Sequence, residues 1–413
     1  MRFFTLQKKS NHNISFHIRT FLAVFICRIS TSMLRIFGHG GTVLPGRLAL
    51  FINKDLLLDL SKDVRVTLIT GTNGKSTVCR MTEQIFSAAG IKVFSNRSGA
   101  NLPACIAAEF ARHSNLRGQC LFDRAVIECD EAAMLKVCRQ LFPECIVITN
   151  ISSDQADRFG APENTARLIK ESISDVPDAV LCLNNECPLT SSLSRSLTNS
   201  IIRFGVKNGR SPYLLIGNTE QKLSESKIKF PEIYNLYNAA AASAASLAAN
   251  INVNTSGSAL ARFECVFGRG EEFVLGLSKS RMILVKNPAG FNYCLEQLLL
   301  CSSPMKIVFI INDAPADGTD IAWLKAVNFE VLSLKQLPFT DIYISGTCSD
   351  AVAARLLEAG FEQSKLKIIK NHRRLLKAVS SDYIPTLFLP NYTAMFRIRK
   401  KIARRTGLKK FYE

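Results

Sequence analysis

Several features are scarce or missing in this chain of 413 residues, and each excludes some classes of protein or of binding site. Its thirteen cysteines include no Cys-x-x-Cys pair, and Cys182 and Cys187 are followed by no second pair at ligand spacing. This spacing argues against a zinc site or a disulfide framework. We interpret the cysteines, which mostly stand in apolar surroundings such as those of Cys145 and Cys301, as reduced, buried side chains.

No apolar run is long enough for a membrane-spanning helix, which needs ~20 residues. The best candidate, Phe21–Cys27, lies among Arg19, Arg28 and Arg35, and no signal-peptide cleavage pattern follows it. The segment Ile14–Phe37 instead has the pattern of a basic amphipathic helix. Two interpretations are open: the helix packs on the body of the protein, or it lies on an anionic membrane surface. We therefore predict a cytoplasmic protein, and the second interpretation would place it peripherally at the inner face of the plasma membrane.

Acidic residues are comparatively few, because 34 Asp and Glu stand against 52 Lys and Arg, a formal charge of +18. Eight of the basic residues fall within residues 397–410. Such an excess fits a solvated helix face first, an anionic lipid or phosphorylated substrate second, and nucleic acid third. Because no recognition-helix, RNA-binding or zinc-finger pattern accompanies the charge, no nucleic-acid partner is predicted.

What the chain does contain is a glycine-rich phosphate loop. Residues 69–77 read Ile-Thr-Gly-Thr-Asn-Gly-Lys-Ser-Thr, after the apolar run Val64–Ile69 and before a helical pattern over Ser76–Ala89. A turn of this kind directs backbone N–H groups and the positive end of a helix at one point, which suits phosphate. Lys75 supplies a positive charge for the terminal phosphates, and the Ser76 hydroxyl is a ligand for Mg²⁺. The general P-loop spacing puts a glycine at position 69, where this chain has isoleucine. The compressed form Gly-x-x-Gly-Lys-Ser is a narrower signature than the general P-loop.

Short apolar runs alternate with helical patterns along the chain, which predicts an α/β fold. Val/Ile-rich runs separated by helices indicate a parallel sheet covered on both faces. The first series of predicted strands is Val64–Ile69, Lys92–Phe94, Ala125–Glu128, Cys145–Thr149, Ala179–Leu183 and Ile201–Phe204, with helices such as Glu131–Leu141 and Pro162–Ile173. The second series, from Arg281 onward, is Met282–Val285, Ile307–Ile311, Asp341–Ser345 and Thr386–Leu389, with helices Phe291–Leu300, Ser349–Ala359 and the basic C-terminal one.

These two series predict the domain organisation. We expect a basic amphipathic segment at residues 1–60, a central phosphate-loop domain with a parallel sheet at 61–268, and a smaller α/β domain at 269–413. Late in the central domain, Val206–Phe230 is polar and turn-rich and predicts a small hairpin. An alanine-rich helix is predicted over Asn235–Asn250, and Asn252–Ser258 is predicted to be a loop.

Acidic side chains follow the predicted strand beside the phosphate loop. Glu128 ends that strand, and Asp130 and Glu131 come next. A carboxylate at the carboxyl end of a parallel strand next to the loop is well placed to bind Mg²⁺. The alternative is that these acids begin the next helix, where negative charge is favoured; of the three, Glu128 is the favoured ligand. The polar run Asn150–Arg158 follows the next predicted strand, at the same edge of the sheet. It predicts a second wall of the cleft that holds the nucleotide and the substrate.

Two segments resemble the Mur ligase superfamily, ATP-dependent enzymes that join an amine to a carboxylate. The phosphate loop is similar to the loop of that superfamily, and residues 234–240, Tyr-Asn-Leu-Tyr-Asn-Ala-Ala, resemble its His-Asn-x-x-Asn-x-x-Ala segment, whose asparagines face the adenine. Tyr234 stands where the superfamily has histidine. The nucleotide contacts that the resemblance implies are Thr70, Gly71, Thr72, Asn73, Gly74, Lys75, Ser76, Thr77, Asn235 and Asn238.

Further segments narrow the resemblance to the MurT-like branch of this superfamily, and it extends over nearly all of the chain beyond the first helix. Through one of these segments Arg269 joins the implied nucleotide site. The matching segments are Gly38–Gly46, Asn96–Leu102, Ile127–Ala132, Thr149–Gly160, Phe267–Arg269, Lys286–Asn292, Ala316–Trp323 and Ile344–Thr347.

The resemblance also implies a reaction. MurT-like subunits are thought to phosphorylate the α-carboxylate of the D-glutamate in the lipid II stem peptide, using ATP and Mg²⁺. Ammonia from a GatD-type glutaminase subunit then displaces the phosphate. For this chain, the resemblance implies catalytic roles for Lys75 and Glu128, with Mg²⁺ on Ser76 and Glu128. The implied partners are a GatD-like glutaminase, forming a heterodimer, and lipid II or a related peptidoglycan precursor.

The same resemblance implies an acid that reaches into the glutaminase site to complete a Cys-His-Asp triad. Asp317 and Asp320 are both candidates, and the residues do not decide between them. The alternative for this pair is an Asp-Gly turn followed by the N-cap of a helix.

The chain departs from the MurT-like pattern in two places. The zinc ribbon of that family, built from four cysteines, has no counterpart, because Val206–Tyr234 is short and contains no cysteine. No structural zinc is therefore predicted. Lys325 and Ala326 replace a Trp-Asp pair, so an acid is missing near the expected partner surface.

Two other functions therefore stay open. The first is a Mur-like amino-acid or peptide ligase that acts without a glutaminase; only about 60 residues precede the loop, too few for the UDP-binding domain of its classical members. The second is a catalytically silent binding subunit. The presence of Lys75, Ser76 and Glu128 argues against it, and the departures at Tyr234 and Ala326 keep it open.

Overall fold

The computed structural model describes residues 14–36, 42–96, 101–152, 161–195, 197–223, 233–264, 268–299, 301–315, 317, 320–334 and 339–408. The chain forms two compact units: an N-terminal unit of residues 1–151 and 162–263, and a C-terminal unit of residues 152–161 and 264–413. Among the described helices, none combines the length and the apolarity that crossing a bilayer requires.

The N-terminal unit is an eight-stranded sheet covered by helices. Its strands are β1 (Arg65–Thr70), β2 (Val93–Ser95), β3 (Arg124–Glu128), β4 (Cys145–Ile148), β5 (Val180–Asn184), β6 (Ile201–Lys207), β7 (Ser211–Ile216) and β8 (Thr219–Lys222). Its helices are α1 (Ile14–Ile36), α2 (Val43–Ile52), α3 (Leu56–Leu60), α4 (Lys75–Ala88), α5 (Pro103–His113), α6 (Met134–Leu141), α7 (Pro162–Ser174), α8 (Pro188–Leu193), α9 (Ile233–Ala248) and α10 (Val253–Leu260), with a 3₁₀ turn at Glu131–Ala133 before α6.

The strand order of this sheet is β2-β3-β1-β4-β5-β6-β7-β8. The first six strands are parallel, and β7 and β8 form an antiparallel hairpin at the edge. Strands β1, β3 and β4 are almost wholly buried, because apolar side chains on both faces pack against helices. The predicted parallel sheet and the predicted hairpin are both confirmed. Each strand predicted in the first series begins and ends within one residue of the observed one, except that β6 continues to Lys207.

Helix α1 packs on the N-terminal unit through one face only. Ala23, Val24 and Cys27 are buried on that face, and the Thr20 hydroxyl donates to the carboxylate of Asp59 at 2.9 Å. Helix α1 therefore packs on the body of the protein and still presents a second apolar face outward. The exposed large apolar side chains of that outer face are Ile18, Phe21, Leu22, Phe25, Ile29, Met33 and Ile36.

The C-terminal unit contains a six-stranded sheet in the order β13-β12-β11-β14-β10-β9, parallel except for β9. Its strands are β9 (Arg269–Leu275), β10 (Ser278–Ile283), β11 (Met305–Ile310), β12 (Phe339–Ser345), β13 (Leu366–Ile368) and β14 (Thr386–Pro390). Its helices are α11 (Pro288–Leu298), α12 (Glu330–Leu334), α13 (Ser349–Glu358), α14 (His372–Val379) and α15 (Tyr392–Thr406), with 3₁₀ turns at Ala322–Ala326 and Gln363–Lys365.

The loop predicted over Asn252–Ser258 is wrong, because α10 occupies Val253–Leu260. The Asn252 side chain caps this helix by accepting from the Thr255 N–H at 2.9 Å. The segment is rich in Asn, Thr, Ser and Gly, which have low helix propensity. Burial of Ala259 and Leu260 overrides that preference.

Strand β9 was not predicted, since its sequence starts Arg-Gly-Glu-Glu. Glu271 is buried on this strand because its carboxylate pairs with the Arg399 guanidinium of α15, at 2.7 Å and 2.6 Å. A buried pair of this kind is invisible in sequence, because its two members stand far apart along the chain.

The cysteines of the described ranges are free thiols, and nine of the twelve are buried. Burial raises the pKa of the Cys138 thiol to about 12. The Cys138 thiol is therefore protonated at physiological pH and unreactive, which agrees with its interpretation as a small apolar side chain.

Candidate active site

The phosphate loop connects β1 to α4 through residues 71–74. Gly71 and Gly74 have φ angles of +118° and +86°, in the region that favours glycine. A Cβ atom at Gly71 would lie 2.4 Å from Thr149 Oγ1, and one at Gly74 would lie 2.4 Å from Asn238 Oδ1. Glycine is therefore required at both positions, by backbone conformation and by close neighbours.

Helix α4 begins directly after this turn without a side-chain cap. Gly74 occupies the N-cap position, and the first turn contains no acidic residue. The first N–H groups of a helix have no partners within it and carry partial positive charge. This end of α4 therefore fits an anion such as phosphate by its geometry as well as by its composition.

The ammonium group of Lys75 lies inside the loop, where the residue is only 8% exposed. Its Nζ donates to Gly71 O at 2.5 Å and to Glu131 Oε1 at 2.9 Å. Burial lowers the pKa of Lys75, but nearby carboxylates, Glu131 first, outweigh that effect and raise the pKa above its ordinary value. Lys75 is therefore a cation at physiological pH.

Ser76 and Glu128 meet at the edge of the loop. Strands β1 and β3 are parallel neighbours, and their register places Ile69 beside Glu128 at the carboxyl end of the sheet. The Ser76 hydroxyl donates to Glu128 Oε2 at 2.5 Å. Hydroxyl and carboxylate oxygens are the ligands that Mg²⁺ prefers. The structure thus brings the two predicted metal ligands together.

Asn96, which begins a matching segment but was not among the predicted site residues, holds Glu128 in place. Its Oδ1 accepts from the Glu128 N–H and its Nδ2 donates to the Glu128 carbonyl, both at 2.8 Å. Asn96 follows β2, and its side chain continues the pairing between β2 and β3 beyond the end of the strand. The sequence signal that could have indicated this role is the position of Asn96, a polar residue directly after a buried strand.

The acids after β3 have separate roles. Asp130 Oδ1 accepts from the Ala132 N–H at 3.1 Å and caps the 3₁₀ turn, as the alternative interpretation proposed. Glu131 is buried and pairs with Lys75. Sequence reasoning gave Glu131 too little weight, since only the fold brings this side chain back to the loop.

Thr149 and Asn150 form a wall against the loop at the end of β4. Thr149 Oγ1 donates to Asn73 O at 2.6 Å, and Asn150 Oδ1 accepts from the Asn73 N–H at 3.0 Å. The Thr72 N–H donates to Asn150 O at 2.9 Å. The predicted second wall is thus present in its first residues, and the predicted run from residue 153 to Arg158 lies outside the described ranges.

Helix α9 brings Asn238 towards the same place. Asn235 and Asn238 are buried, and Asn238 approaches the loop at Gly74. Tyr234 is half-buried in the first turn, and the Tyr237 hydroxyl donates to the Glu186 carboxylate. The contact of the asparagines with adenine stays a prediction.

The remaining predicted site residues belong to the C-terminal unit. Asp317 accepts from the Thr393 N–H at 2.8 Å and from the Thr393 hydroxyl, so it caps the start of α15. Asp320 is exposed and accepts from the Ala322 N–H at 2.7 Å, at the start of a 3₁₀ turn. Arg269 is half-buried at the beginning of β9.

Two family models match this chain. The Mur ligase middle domain matches residues 69–246, which hold the phosphate loop, Glu128 and Asn238. The MurT ligase C-terminal model matches residues 284–395, which hold Asp317 and Asp320.

Curated relatives match the chain along almost all of its length. The MurT subunit of lipid II isoglutaminyl synthase (glutamine-hydrolyzing) from Streptococcus pneumoniae is 29% identical over 95% of this chain and 99% of its own. The subunit of the same name from Staphylococcus aureus is 27% identical over 94% of this chain and 98% of its own.

Solved structures show the same fold. MurF from Acinetobacter baumannii superposes with a TM-score of 0.68 at 18% identity, covering 87% of this chain and 80% of that one. Folylpolyglutamate synthase from Mycobacterium tuberculosis, solved with ADP and AMPPCP, gives a TM-score of 0.64 at 16% identity, covering 86% and 96%. At these identities the likeness concerns the fold alone, and it confirms the predicted Mur-ligase-like α/β architecture.

The fold, the phosphate loop and the middle-domain model together define the class of the protein. The chain belongs to the Mur ligase superfamily of ATP-dependent carbon–nitrogen ligases. Its C-terminal model and its near full-length relatives place it in the MurT branch of that superfamily, which confirms the resemblance noted in the sequence.

Proposed function

We propose that this chain is the ATP-dependent synthetase subunit of an amidotransferase that amidates the D-glutamate of the lipid II stem peptide. One observation carries the proposal: the cationic Lys75 lies inside the phosphate loop, with the Ser76–Glu128 pair at its edge. The substrate is supported by the two curated relatives, which are subunits of lipid II isoglutaminyl synthase.

The loop, Lys75, Ser76 and Glu128 would together hold the nucleotide. The backbone N–H groups at the start of α4 and the Lys75 ammonium bind the terminal phosphates, and Ser76 and Glu128 hold Mg²⁺. ATP and Mg²⁺ supply a phosphoryl group together with neutralisation of its charge. Because the pKa of Lys75 is raised, its positive charge is present throughout the physiological pH range.

The reaction proceeds in two balanced steps. An oxygen of the substrate carboxylate attacks the terminal phosphorus of ATP, the bond from that phosphorus to the bridging oxygen breaks, and ADP leaves. Ammonia then attacks the acyl carbon, the C–O bond to phosphate breaks, and nitrogen loses a proton to leave the amide. A carboxylate alone is a poor acyl donor, so the protein contributes mainly positioning and charge stabilisation.

The proposal is tested by supplying the purified chain with ATP, Mg²⁺, ammonia and lipid II. We expect ADP and a stem peptide lighter by one dalton, because NH₂ replaces OH. With a co-purified GatD-type glutaminase, glutamine replaces ammonia as the nitrogen source. An absence of ATP binding in calorimetry would contradict the proposal and leave the silent binding subunit.

A second candidate function is a Mur-like ligase that acts without a glutaminase. It is favoured by Lys325 and Ala326, both exposed where the MurT-like pattern has Trp-Asp. The two candidates differ in their nitrogen donor. Turnover with an amino acid or peptide, together with no turnover with ammonia and no co-purifying glutaminase, would support this second function.

The acid that completes the glutaminase triad is tested by comparing Asp317→Asn with Asp320→Asn. The variant that removes the triad acid should lose about 10²–10⁴-fold of glutamine-driven turnover and keep turnover with ammonia. Asp317→Asn also weakens the cap of α15, by about 1 kcal/mol, so thermal unfolding is measured beside both activities. Asp350→Asn, a change at an exposed residue of the same unit, is the control. If both test variants keep full glutamine-driven turnover, neither residue is the triad acid.

We also propose that the exposed apolar side chains of α1, together with Val43, Leu44, Leu48 and Phe51 of α2, rest on an anionic membrane. Eleven of the twenty-one exposed large apolar side chains in the described ranges lie on these two helices. Residues 1–54 contain eight Lys or Arg and no Asp or Glu, a charge that complements acidic lipid headgroups. The proposed substrate is itself lipid-linked, so a face of this kind would bring the enzyme to it.

Sedimentation with vesicles tests this membrane face. The chain should sediment with phosphatidylglycerol vesicles and much less with phosphatidylcholine vesicles, and Phe25→Gln/Ile29→Gln should abolish the difference. Leu121→Gln/Ile216→Gln, which changes two exposed apolar residues elsewhere, should sediment as the unmodified chain does. Unchanged sedimentation of the first variant would contradict the proposal. If the unmodified chain is a dimer without vesicles and this variant is not, a second copy of the chain, and not a membrane, covers these apolar side chains.

A further inference from the structure

The C-terminal sheet contains a topological switch point. The chain runs outward from β11 to β12 and β13, and β14 then returns to the other side of β11. In open parallel sheets the loops at the carboxyl ends of the strands diverge at such a point and leave a crevice where ligands bind. Here the crevice is a cleft of about 710 Å³, a size typical of small-molecule sites.

Hydrogen bonds fix the floor of this cleft. Asn312 follows β11, and its Oδ1 accepts from the Thr347 N–H, after β12, at 3.1 Å. Asn391, after β14, donates its Nδ2 to Asn312 O at 2.7 Å. Three strand ends are thus held together, so the cleft has a defined polar base that does not depend on exposed side chains.

The walls of the cleft are basic. Arg397, Lys401 and Arg404 stand at i, i+4 and i+7 on α15 and line one side, and Lys370 lines another. Lys370 pairs with Asp350 at the surface. No carboxylate of a described residue lies within 4.0 Å of the basic side chains that α15 directs to the cleft. Arg399 on the same helix differs, because it is buried against Glu271.

A solvated helix face would be the simpler explanation of these charges. Two observations argue against it. The basic side chains of α15 converge on a concave cleft rather than spreading over a convex surface. In addition, half-buried His372 lines the cleft, and burial, Lys401 and Arg397 together lower its pKa, so positive charge is concentrated there.

We propose that this cleft is an anion site that binds a small ligand carrying a phosphate or diphosphate group. The planar guanidinium of Arg397 and the ammonium of Lys401 match phosphate oxygens, which accept charge-assisted hydrogen bonds from both. The site uses residues other than those of the phosphate loop. It therefore stands independently of the proposed amidation.

Inorganic pyrophosphate is the probe that tests the site, with the imidazole signal of His372 in the NMR spectrum as the local readout. Comparison with His372→Gln assigns the signal. We expect a saturable shift, a rise in the pKa of His372 when the anion offsets its cationic neighbours, and weaker binding as salt is added. Because the readout is local, pyrophosphate bound at the phosphate loop does not interfere.

Matched variants complete the test. Arg397→Ala/Lys401→Ala should weaken pyrophosphate binding at His372 at least tenfold, and Lys400→Ala/Arg404→Ala should also weaken it. The control, Arg374→Ala/Arg405→Ala, removes the same charge from exposed positions outside the cleft and should bind normally. Absence of a saturable shift, or equal binding in the first variant and the control, would overturn the proposal. If pyrophosphate has no effect but the first variant loses binding to phosphatidylglycerol vesicles, the basic residues serve a lipid surface and the proposal is also overturned.

Discussion

Replacing Lys75 with alanine should abolish the amidation of lipid II by free ammonia. The buried ammonium is the fixed positive charge inside the phosphate loop, and its charge is present at physiological pH. Removing a preorganised group of this kind costs at least about 10²–10³-fold in kcat. The measurement is the rate of product formation by mass spectrometry, at saturating ATP and ammonia.

This variant needs a control for folding, because Lys75 is also the partner of buried Glu131. Losing one member of a buried pair destabilises a protein by about 3–5 kcal/mol. Lys75→Ala/Glu131→Gln removes the unpaired charge, so it should recover much of the free energy of unfolding and remain inactive. Lys136→Ala, at an exposed lysine of the same unit, should keep full activity. Full activity of Lys75→Ala would show that Lys75 does not serve the reaction.

Replacing Glu128 with glutamine should lower kcat by about 10²–10³-fold, since the proposed metal site loses its charged ligand. Glutamine keeps the size of the side chain, and its carbonyl oxygen can still accept from the Ser76 hydroxyl, as Glu128 does. The pairing of Asn96 involves the Glu128 backbone, so it should be unaffected. The change therefore tests charge with little change in packing.

Calorimetry with a non-hydrolysable ATP analogue separates the contribution of the metal to binding from the contribution of the nucleotide. In the unmodified chain Mg²⁺ should tighten analogue binding, and in Glu128→Gln this gain should disappear while binding without Mg²⁺ stays the same. Glu171→Gln, at an exposed residue on α7, should behave as the unmodified chain does. An unchanged Mg²⁺ gain in Glu128→Gln would remove Glu128 from the metal site.

The features that were readable in the sequence are local ones. The phosphate loop combines glycines, a lysine and a serine within a few residues, so its composition and its geometry are encoded together. The strands of the parallel sheet are short apolar runs, because both faces of each strand are buried, and their positions follow from that pattern. Glu128 was found for a similar reason, since it ends one of these runs.

The features that were missed depend on partners far away in the chain. Helix α10 forms because Ala259 and Leu260 are buried, although its propensity is low. Strand β9 was missed because its charged residue Glu271 is buried only through its ion pair with the distant Arg399. Glu131 reaches Lys75 only because β1 and β3 are neighbours in the sheet.

The sequence alone determined that a phosphate-binding turn stands between a strand and a helix, and that two α/β regions follow one another along the chain. Only the tertiary structure decided that Glu131 pairs with the Lys75 ammonium group and that Glu128 accepts from the Ser76 hydroxyl. It also decided that the side-chain amide of Asn150 binds the loop. The reason is physical: propensity and periodicity act over neighbouring residues, whereas charge pairing and close packing act between residues that only the folded chain brings together.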